Sequence, residues 1–289
     1  MERSDLSLEG AITKFVSYLK AQKRSNNTVI AYQGDLMQLS RFLKGLGVDS
    51  LDKIVADQFE QFKASLAKDN YTAKSISRKL NSIKSLFGFL LDEGVIERDP
   101  SRTVKHPKIV NDAPRLLQPL EYRALRDGCR HDKRTLAVVE LMLQAGLRIS
   151  EVANLQIDDV KDEYLVIRAY ESHPERKVPL NRAAKEAVAD YLAKERYETK
   201  SRYVFVTKSG RPLLVRNIRS ILNRYFEKAN LGGIKVNDLR NTFIVEQLSA
   251  GVPLDVISRI VGHKRLSTTE RYLILVKKTG DEGFRLKEL

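Results

Sequence analysis

Pro100, Pro107 and Pro114 all fall within residues 98–115, and this spacing constrains the fold more than any other feature of the sequence. A proline inside a helix removes a backbone donor and clashes with the preceding turn, and the residue before it avoids helical angles. A regular helix is therefore opposed here, and the chain is expected to divide. The expected boundaries are a first domain over residues 1–98, a linker over 99–115 and a second domain over 116–289. The same stretch carries Arg98, Arg102, Lys105, His106, Lys108 and Arg115. Two readings stay open for it: an ordinary solvated linker, or a basic strap that runs along a phosphate backbone.

Before the boundary the apolar residues recur with helical spacing. Ile12, Phe15, Val16 and Leu19 share one face. Val29, Tyr32, Leu36, Leu39 and Leu43 form a second stripe, with Asn27 or Thr28 placed to cap it. Phe59, Phe62 and Leu66 give a third, and Ile76, Leu80, Ile83, Phe87 and Leu90 a fourth that closes at Glu93-Gly94. Four such helices joined by short connections predict a small bundle. After the boundary, helical patterns at residues 119–129 and 133–144 precede a strand-like pair, residues 164–167 and 177–180, with a turn across 170–175. A further short strand pattern covers residues 203–206, and helices resume to the end. The fold class expected is mostly α with a small antiparallel β-sheet.

The net charge of +14 over 289 residues points to a polyanionic partner, most simply nucleic acid. No apolar run reaches the roughly 18 residues of a membrane span, and the start of the chain lacks an apolar signal core. A cytoplasmic protein with no membrane partner is expected. Cys129 is the only cysteine, so no internal disulfide forms. His106, His131, His173 and His263 are scattered without metal-ligand spacing, so neither a metal site nor a cofactor is expected.

Three short stretches carry chemistry. In residues 146–152, Arg148 follows a glycine that ends one helix and precedes the next; a guanidinium beside free helix N–H groups suits an anionic oxygen, and Glu151, one turn on, can hold it. Arg240 sits early in another helix whose Phe243, Ile244 and Leu248 face inward. In residues 261–272, a Gly262-His263 turn precedes Ser267 and Glu270, which read as a capping box, and Tyr272 follows in the new helix. A tyrosine hydroxyl held near a histidine suits attack on a phosphodiester; the alternative is a buried tyrosine beside a turn histidine.

In that order, two arginines, a histidine and a tyrosine at helix edges resemble the tyrosine recombinase (integrase, Xer-like) family. Residues 146–155 are similar to its first arginine box, 238–243 to its second, and 261–272 to its last. The first domain is also similar to the family's core-binding domain at Thr28, Val29, Tyr32, Asp35, Leu36, Phe42, Leu43 and residues 77–83, and residues 93–100 to the usual exit from it. The resemblance implies an N-terminal helical (SAM-like) core-binding domain and an α+β catalytic domain. It implies that Arg148 and Arg240 clamp the scissile phosphate, that His263 donates to a non-bridging oxygen, and that Tyr272 is the nucleophile. It further implies a 3′-phosphotyrosyl intermediate, a Holliday junction and no need for metal or ATP. The implied partners are double-stranded DNA at a specific site, a homotetramer assembled on it by exchange of the C-terminal tail, with Gly280 and Gly283 as hinge candidates, and an accessory or partner recombinase.

The chain departs from the family pattern at two places. The family's histidine three residues before the second arginine is Asn237 here, and Asn241 follows Arg240 where histidine is common. An amide can hydrogen-bond a phosphate oxygen but cannot relay a proton near neutral pH. The family's lysine at the first sheet turn, its general acid for the leaving 5′-hydroxyl, falls on Glu171. Lys177 is the candidate replacement, and Arg168 a weaker one; the alternative is that Lys177 is an exposed strand lysine. DNA contacts are expected from Lys74, Arg78, Lys79 and Lys84 on the fourth helix, and from Arg102, Lys105 and Lys108 in the basic stretch; a solvated face is the alternative for the helix. An attenuated DNA-binding protein on the same scaffold is the rival to the recombinase.

Overall fold

The computed structural model describes residues 7–276 apart from residues 49, 110–112 and 171–172. The chain forms two compact units, Met1–Asn111 and Asp112–Leu289. No helix among the described residues is long and apolar enough to cross a membrane.

The first unit is a bundle of α1 (Leu8–Ala21), α2 (Asn26–Gly45), α3 (Ala56–Lys68) and α4 (Ala73–Asp92). Each expected apolar stripe becomes core: Phe15, Leu36, Leu39, Leu43, Phe59 and Phe87 are among the most deeply buried side chains. Phe59 meets Phe87 edge-on at 5.2 Å, a favoured geometry for aromatic rings. Gly94 takes a left-handed turn immediately after α4, as the sequence predicted. The cap of α2 differs from expectation. Ser25 accepts a hydrogen bond from the Thr28 backbone N–H, because the helix begins at Asn26 and the residue before it does the capping.

The basic helix α4 also departs from its expected role. Lys79 is buried, with its ammonium 2.9 Å from the Asp35 carboxylate and 2.7 Å from the Gln38 amide oxygen. Arg78 pairs with the same carboxylate, and the Ser82 hydroxyl donates to it at 3.0 Å. Lys79 is thus an internal partner for a carboxylate on α2 and is removed from the set of candidate DNA contacts. Lys74 and Arg78 are exposed, and the Lys84 ammonium donates to the Arg102 carbonyl at 3.4 Å. The proline-containing stretch begins packed on the bundle: Val104 joins its core, and His106 Nδ1 lies 3.0 Å from the Ser77 hydroxyl. The side chains of Arg102, Lys105 and Lys108 are exposed.

The second unit contains α5 (Pro119–Cys129), α6 (Lys133–Gln144), α7 (Ile149–Asn154), a hairpin of β1 (Tyr164–Ile167) and β2 (Arg176–Pro179), then α8 (Arg182–Lys194), α9 (Val215–Lys228), α10 (Val236–Ser249), α11 (Leu254–Val261) and α12 (Leu266–Glu270). The strands are antiparallel, with Tyr164 opposite Pro179 and Ile167 opposite Arg176. Residues 203–206 form isolated bridges, Gln156 with Tyr203 and Val206 with Pro212, in place of the strand expected there. α6 is buried along most of its length and packs against α8 and α10 at the centre of this unit.

Candidate active site

Three helix junctions place the site. The chain leaves α6 through Gly146, whose φ of +64° is a left-handed conformation that glycine adopts at no steric cost. A Cβ there would collide with the Phe243 ring of α10, so the close approach of α6 and α10 also requires glycine. Arg148 then caps α7. Its backbone N–H donates to Glu151 Oε2 at 2.8 Å while its own guanidinium reaches Glu151 Oε1 at 2.8 Å. Glu151 holds the arginine as the sequence predicted.

Arg240 lies on α10 and is 3% exposed, unusual for an arginine without a dedicated set of acceptors. It donates to the Gly146 carbonyl at 2.6 Å and to the Val261 carbonyl at 2.5 Å. A third arginine completes the cluster. Arg176 on β2 donates to Glu151 Oε2 at 2.9 Å and to the Ile260 carbonyl at 2.7 Å. Arg148 in turn donates to the Gly262 carbonyl at 2.8 Å. Three consecutive carbonyls at the end of α11, those of Ile260, Val261 and Gly262, therefore accept one guanidinium each. These are the groups that a helix terminus leaves unsatisfied and partially negative. Gly262 closes α11 with φ +66°, and a Cβ on it would lie 2.9 Å from the Arg176 guanidinium carbon.

His263 follows this anchored helix end. Its Nδ1 lies 2.8 Å from the hydroxyl of Thr269, itself fully buried, and its ring stacks on Tyr272 with centroids 6.2 Å apart. The Tyr272 hydroxyl donates to the Asn241 amide oxygen at 2.9 Å. Asn237 donates to that same oxygen at 3.1 Å, and Asn241 donates to Asp238 at 3.1 Å. The capping box expected from Ser267 and Glu270 does not form. α12 starts at Leu266, so Ser267 lies inside the first turn, and Arg265 occupies the cap without a side-chain bond. Tyr272 follows the short helix instead of riding in it, and packs partly buried against the apolar cluster that contains Phe243, Ile244 and Val261.

The electrostatics follow from this crowding. Burial alone would raise the Glu151 carboxyl, but Arg176 and Arg148 outweigh it and hold the group below its ordinary range. Burial, reinforced by Arg148 and opposed by Glu151, pulls Arg240 down to about 9. Burial and then Arg240, Arg148 and Arg176 push His263 down to about 4, so it is neutral near pH 7. Burial raises the Tyr272 phenol, while Arg240 and Arg148 pull it back in part. Arg148 borders two openings: a cleft of ≈ 970 Å³ that reaches Lys235, Arg219 and Asn237, and one of ≈ 280 Å³ lined by Glu151, Arg168, Tyr170, His173 and Arg176.

Arg148, Arg240, His263, Tyr272 and Asn237 are thus brought together, although Arg148 and Tyr272 stand far apart in sequence. Lys177 is not. Neighbouring strand residues face opposite ways, so Arg176 points to the cluster and Lys177 away from it, with its ammonium 4.7 Å from the Tyr164 ring centroid. Arg168 is tied to Asp159 at 2.8 Å. Glu171 and the tail from residue 277, including Gly280 and Gly283, lie outside the described residues. Arg176, His173 and the tyrosine's partner Asn241 are the neighbours that sequence reasoning did not place here. A one-residue shift of the β2 register would have exposed Arg176, since it shares a face with buried Val178.

The sequence description of the phage integrase family fits residues 111–278, and that of the phage integrase N-terminal SAM-like domain fits residues 12–94. The chain belongs to the phage integrase family. Within that family it is similar to the tyrosine recombinase XerC of Thermodesulfovibrio yellowstonii, with 31% identity over 276 residues that cover 90% of either chain. It is also 30% identical over 280 residues to the tyrosine recombinase XerC of Listeria monocytogenes serovar 1/2a, covering 92% of this chain and 93% of the relative. Among solved integrases, a lambda integrase dimer bound to a COC′ core site shares the fold with a TM-score of 0.77 at 16% identity, over 98% of this chain and 81% of that one.

Proposed function

We propose that this integrase-family chain is a site-specific DNA recombinase that cuts and rejoins strands through Tyr272. The observation that carries this reading is convergence: folding gathers Arg148, Arg240, His263 and Tyr272 around one cluster with excess positive charge. In the proposed step the Tyr272 oxygen attacks phosphorus, forming a 3′-phosphotyrosyl link and expelling the 5′-oxygen. Arg148 and Arg240 stabilise the charge that builds on the non-bridging oxygens, and loss of one such donor typically costs about 10²–10³-fold. His263 donates a hydrogen bond to the same oxygens. The guanidinium groups supply the cationic charge, so the step needs no metal. The phosphotyrosyl ester keeps the energy of the broken bond, so rejoining needs no ATP. Two such exchanges on paired sites, run by a tetramer on DNA, pass through a Holliday junction. Lys74, Arg78, Lys84, Arg102, Lys105 and Lys108 are proposed phosphate contacts, and the tail beyond residue 276 is the proposed link between protomers.

One observation favours a second reading, an attenuated DNA-binding protein. The Tyr272 hydroxyl rests on a neutral amide oxygen, which cannot take its proton. A single experiment separates the two. The full chain is incubated with a random double-stranded oligonucleotide library in EDTA without nucleotide, denatured, and the covalently linked DNA is sequenced. Recovery of a common sequence that disappears with Tyr272→Phe supports the recombinase. Normal DNA binding with no linked DNA, and recovery of linkage only in Asn237→His, selects the attenuated protein.

A further inference from the structure

Expulsion of a 5′-oxygen as a bare alkoxide is unfavourable near neutral pH, so the reaction needs a proton donor on the leaving-group side. The described residues of the cleft narrow the choice. The three guanidinium groups are engaged with Glu151 and the end of α11. His263 is bonded to Thr269 and stacked on the nucleophile itself, and so belongs to the attacking side. Lys177 faces away and Arg168 is held by Asp159.

His173 differs from all of these. It lies where the hairpin narrows, its backbone fixed by two hydrogen bonds of 3.0 Å with Tyr170. Its ring lines the ≈ 280 Å³ cleft together with Arg148 and Arg176. Its Nδ1 is enclosed and has no hydrogen-bond partner among the described residues. A buried ring nitrogen without a partner costs stability, and of the atoms in that position among the described residues, this one belongs to a residue that lines the cleft beside Arg148. The ring is also within electrostatic reach of Arg148, Lys264, Glu151 and Arg176, and of His263. It therefore shares the cleft with Arg148, on the hairpin side.

We propose that His173 is the general acid that protonates the leaving 5′-oxygen, a role that rests on the recombinase reading. In the forward step the bond from Tyr272 oxygen to phosphorus forms and the phenolic proton passes to solvent water. The bond from phosphorus to the 5′-oxygen breaks, its electron pair stays on that oxygen, and the His173 imidazolium delivers the proton that makes a 5′-hydroxyl. In rejoining, neutral His173 takes the proton back. Burial, then Arg148 and Lys264, lower the pKa of this ring, so it rests neutral near pH 7. An arriving phosphodiester brings negative charge beside it and favours the imidazolium.

The test uses the DNA sequence recovered by covalent capture, synthesised in two forms, one with the normal 5′-oxygen and one with sulfur bridging at the cleaved position. A thiolate leaves without help from an acid. Wild-type chain forms the adduct on both. His173→Ala is expected to lose about 10²-fold or more on the oxygen substrate and to match wild type on the sulfur substrate. Tyr272→Phe fails on both, and Lys264→Ala shows no preference for sulfur. Equal activity of His173→Ala on oxygen, loss on both substrates, or a sulfur preference confined to Lys264→Ala overturns the assignment. Failure of wild type on both substrates overturns the recombinase reading itself, and is distinct from each of those results.

Discussion

Asp35 in the first unit and Glu151 in the second are both carboxylates buried among cations, yet the two clusters are built differently. Asp35 receives Lys79, Arg78 and the Ser82 hydroxyl, and the remaining reach of Lys79 ends on the Gln38 amide. Two cations answer one carboxylate there, and the cluster ties α4 to α2. Around Glu151 three cations gather, with Arg240 at 3.9 Å and Arg148 and Arg176 in direct contact. Their other donors go to backbone carbonyls, and Arg148 and Arg176 line a cleft. The comparison teaches that buried basic residues alone do not mark a site. What sets the second cluster apart is surplus charge, held rigidly and facing an opening beside the proposed nucleophile Tyr272.

The sharpest way to break this contrast is to remove one member from each cluster. Arg240→Ala is expected to lower covalent adduct formation by about 10²–10³-fold, measured as adduct per folded molecule. Asp35→Ala is expected to leave that rate unchanged and to cost about 3–5 kcal/mol in urea unfolding, the usual result of stranding a buried charge. A large loss of chemistry from Asp35→Ala would erase the distinction. Next comes Gly262→Ala. Its left-handed backbone costs an alanine about 1–3 kcal/mol, and its Cβ displaces the Arg176 guanidinium. Both stability and adduct yield should fall, and Arg176→Ala in the same background should add little further loss of yield.

A pH series sharpens the comparison further. His263 has a pKa of about 4 when folded, against an ordinary 6.5. Between those values the unfolded chain binds more protons, so this contribution to stability is complete above about pH 6.5 and is lost as pH falls toward 4. The difference in unfolding free energy between wild type and His263→Gln should shrink across that window. The smallest effect is expected on the bundle surface. Lys74→Ala should reduce the slope of log affinity against log salt by about 1, whereas Lys79→Ala should leave the slope unchanged because its ammonium is already paired inside.

Local pattern explains what was legible in the sequence. The four stripes of the bundle and the Arg148–Glu151 pair repeat within one or two helical turns, where neighbours in sequence are neighbours in space. Lys79 was misplaced because its partner Asp35 stands on another helix, and no periodicity along α4 reports it. Arg176 does not stand out in the sequence because β2 begins one residue earlier than its apolar pattern suggests, and a strand's two faces alternate residue by residue, so Lys177 lies on the face opposite Arg176. Asn241 could be read as a departure from the family but not as the partner of Tyr272, since that contact depends on how α10 meets the segment after α12. Ser267 looked like a cap because its spacing to Glu270 is right, but the helix had already started at Leu266.

The three carbonyls at the end of α11 have one further consequence. They crowd like-charged groups at a single helix end, and folding confines a mutual repulsion that Glu151 offsets only in part. A compact dianion settling among them relieves that repulsion and stabilises the fold through its binding. Sodium sulfate should therefore raise the thermal midpoint more than sodium chloride at matched ionic strength, and Arg148→Ala should shrink the difference to the part that sulfate exerts on any folded chain by its exclusion from the surface.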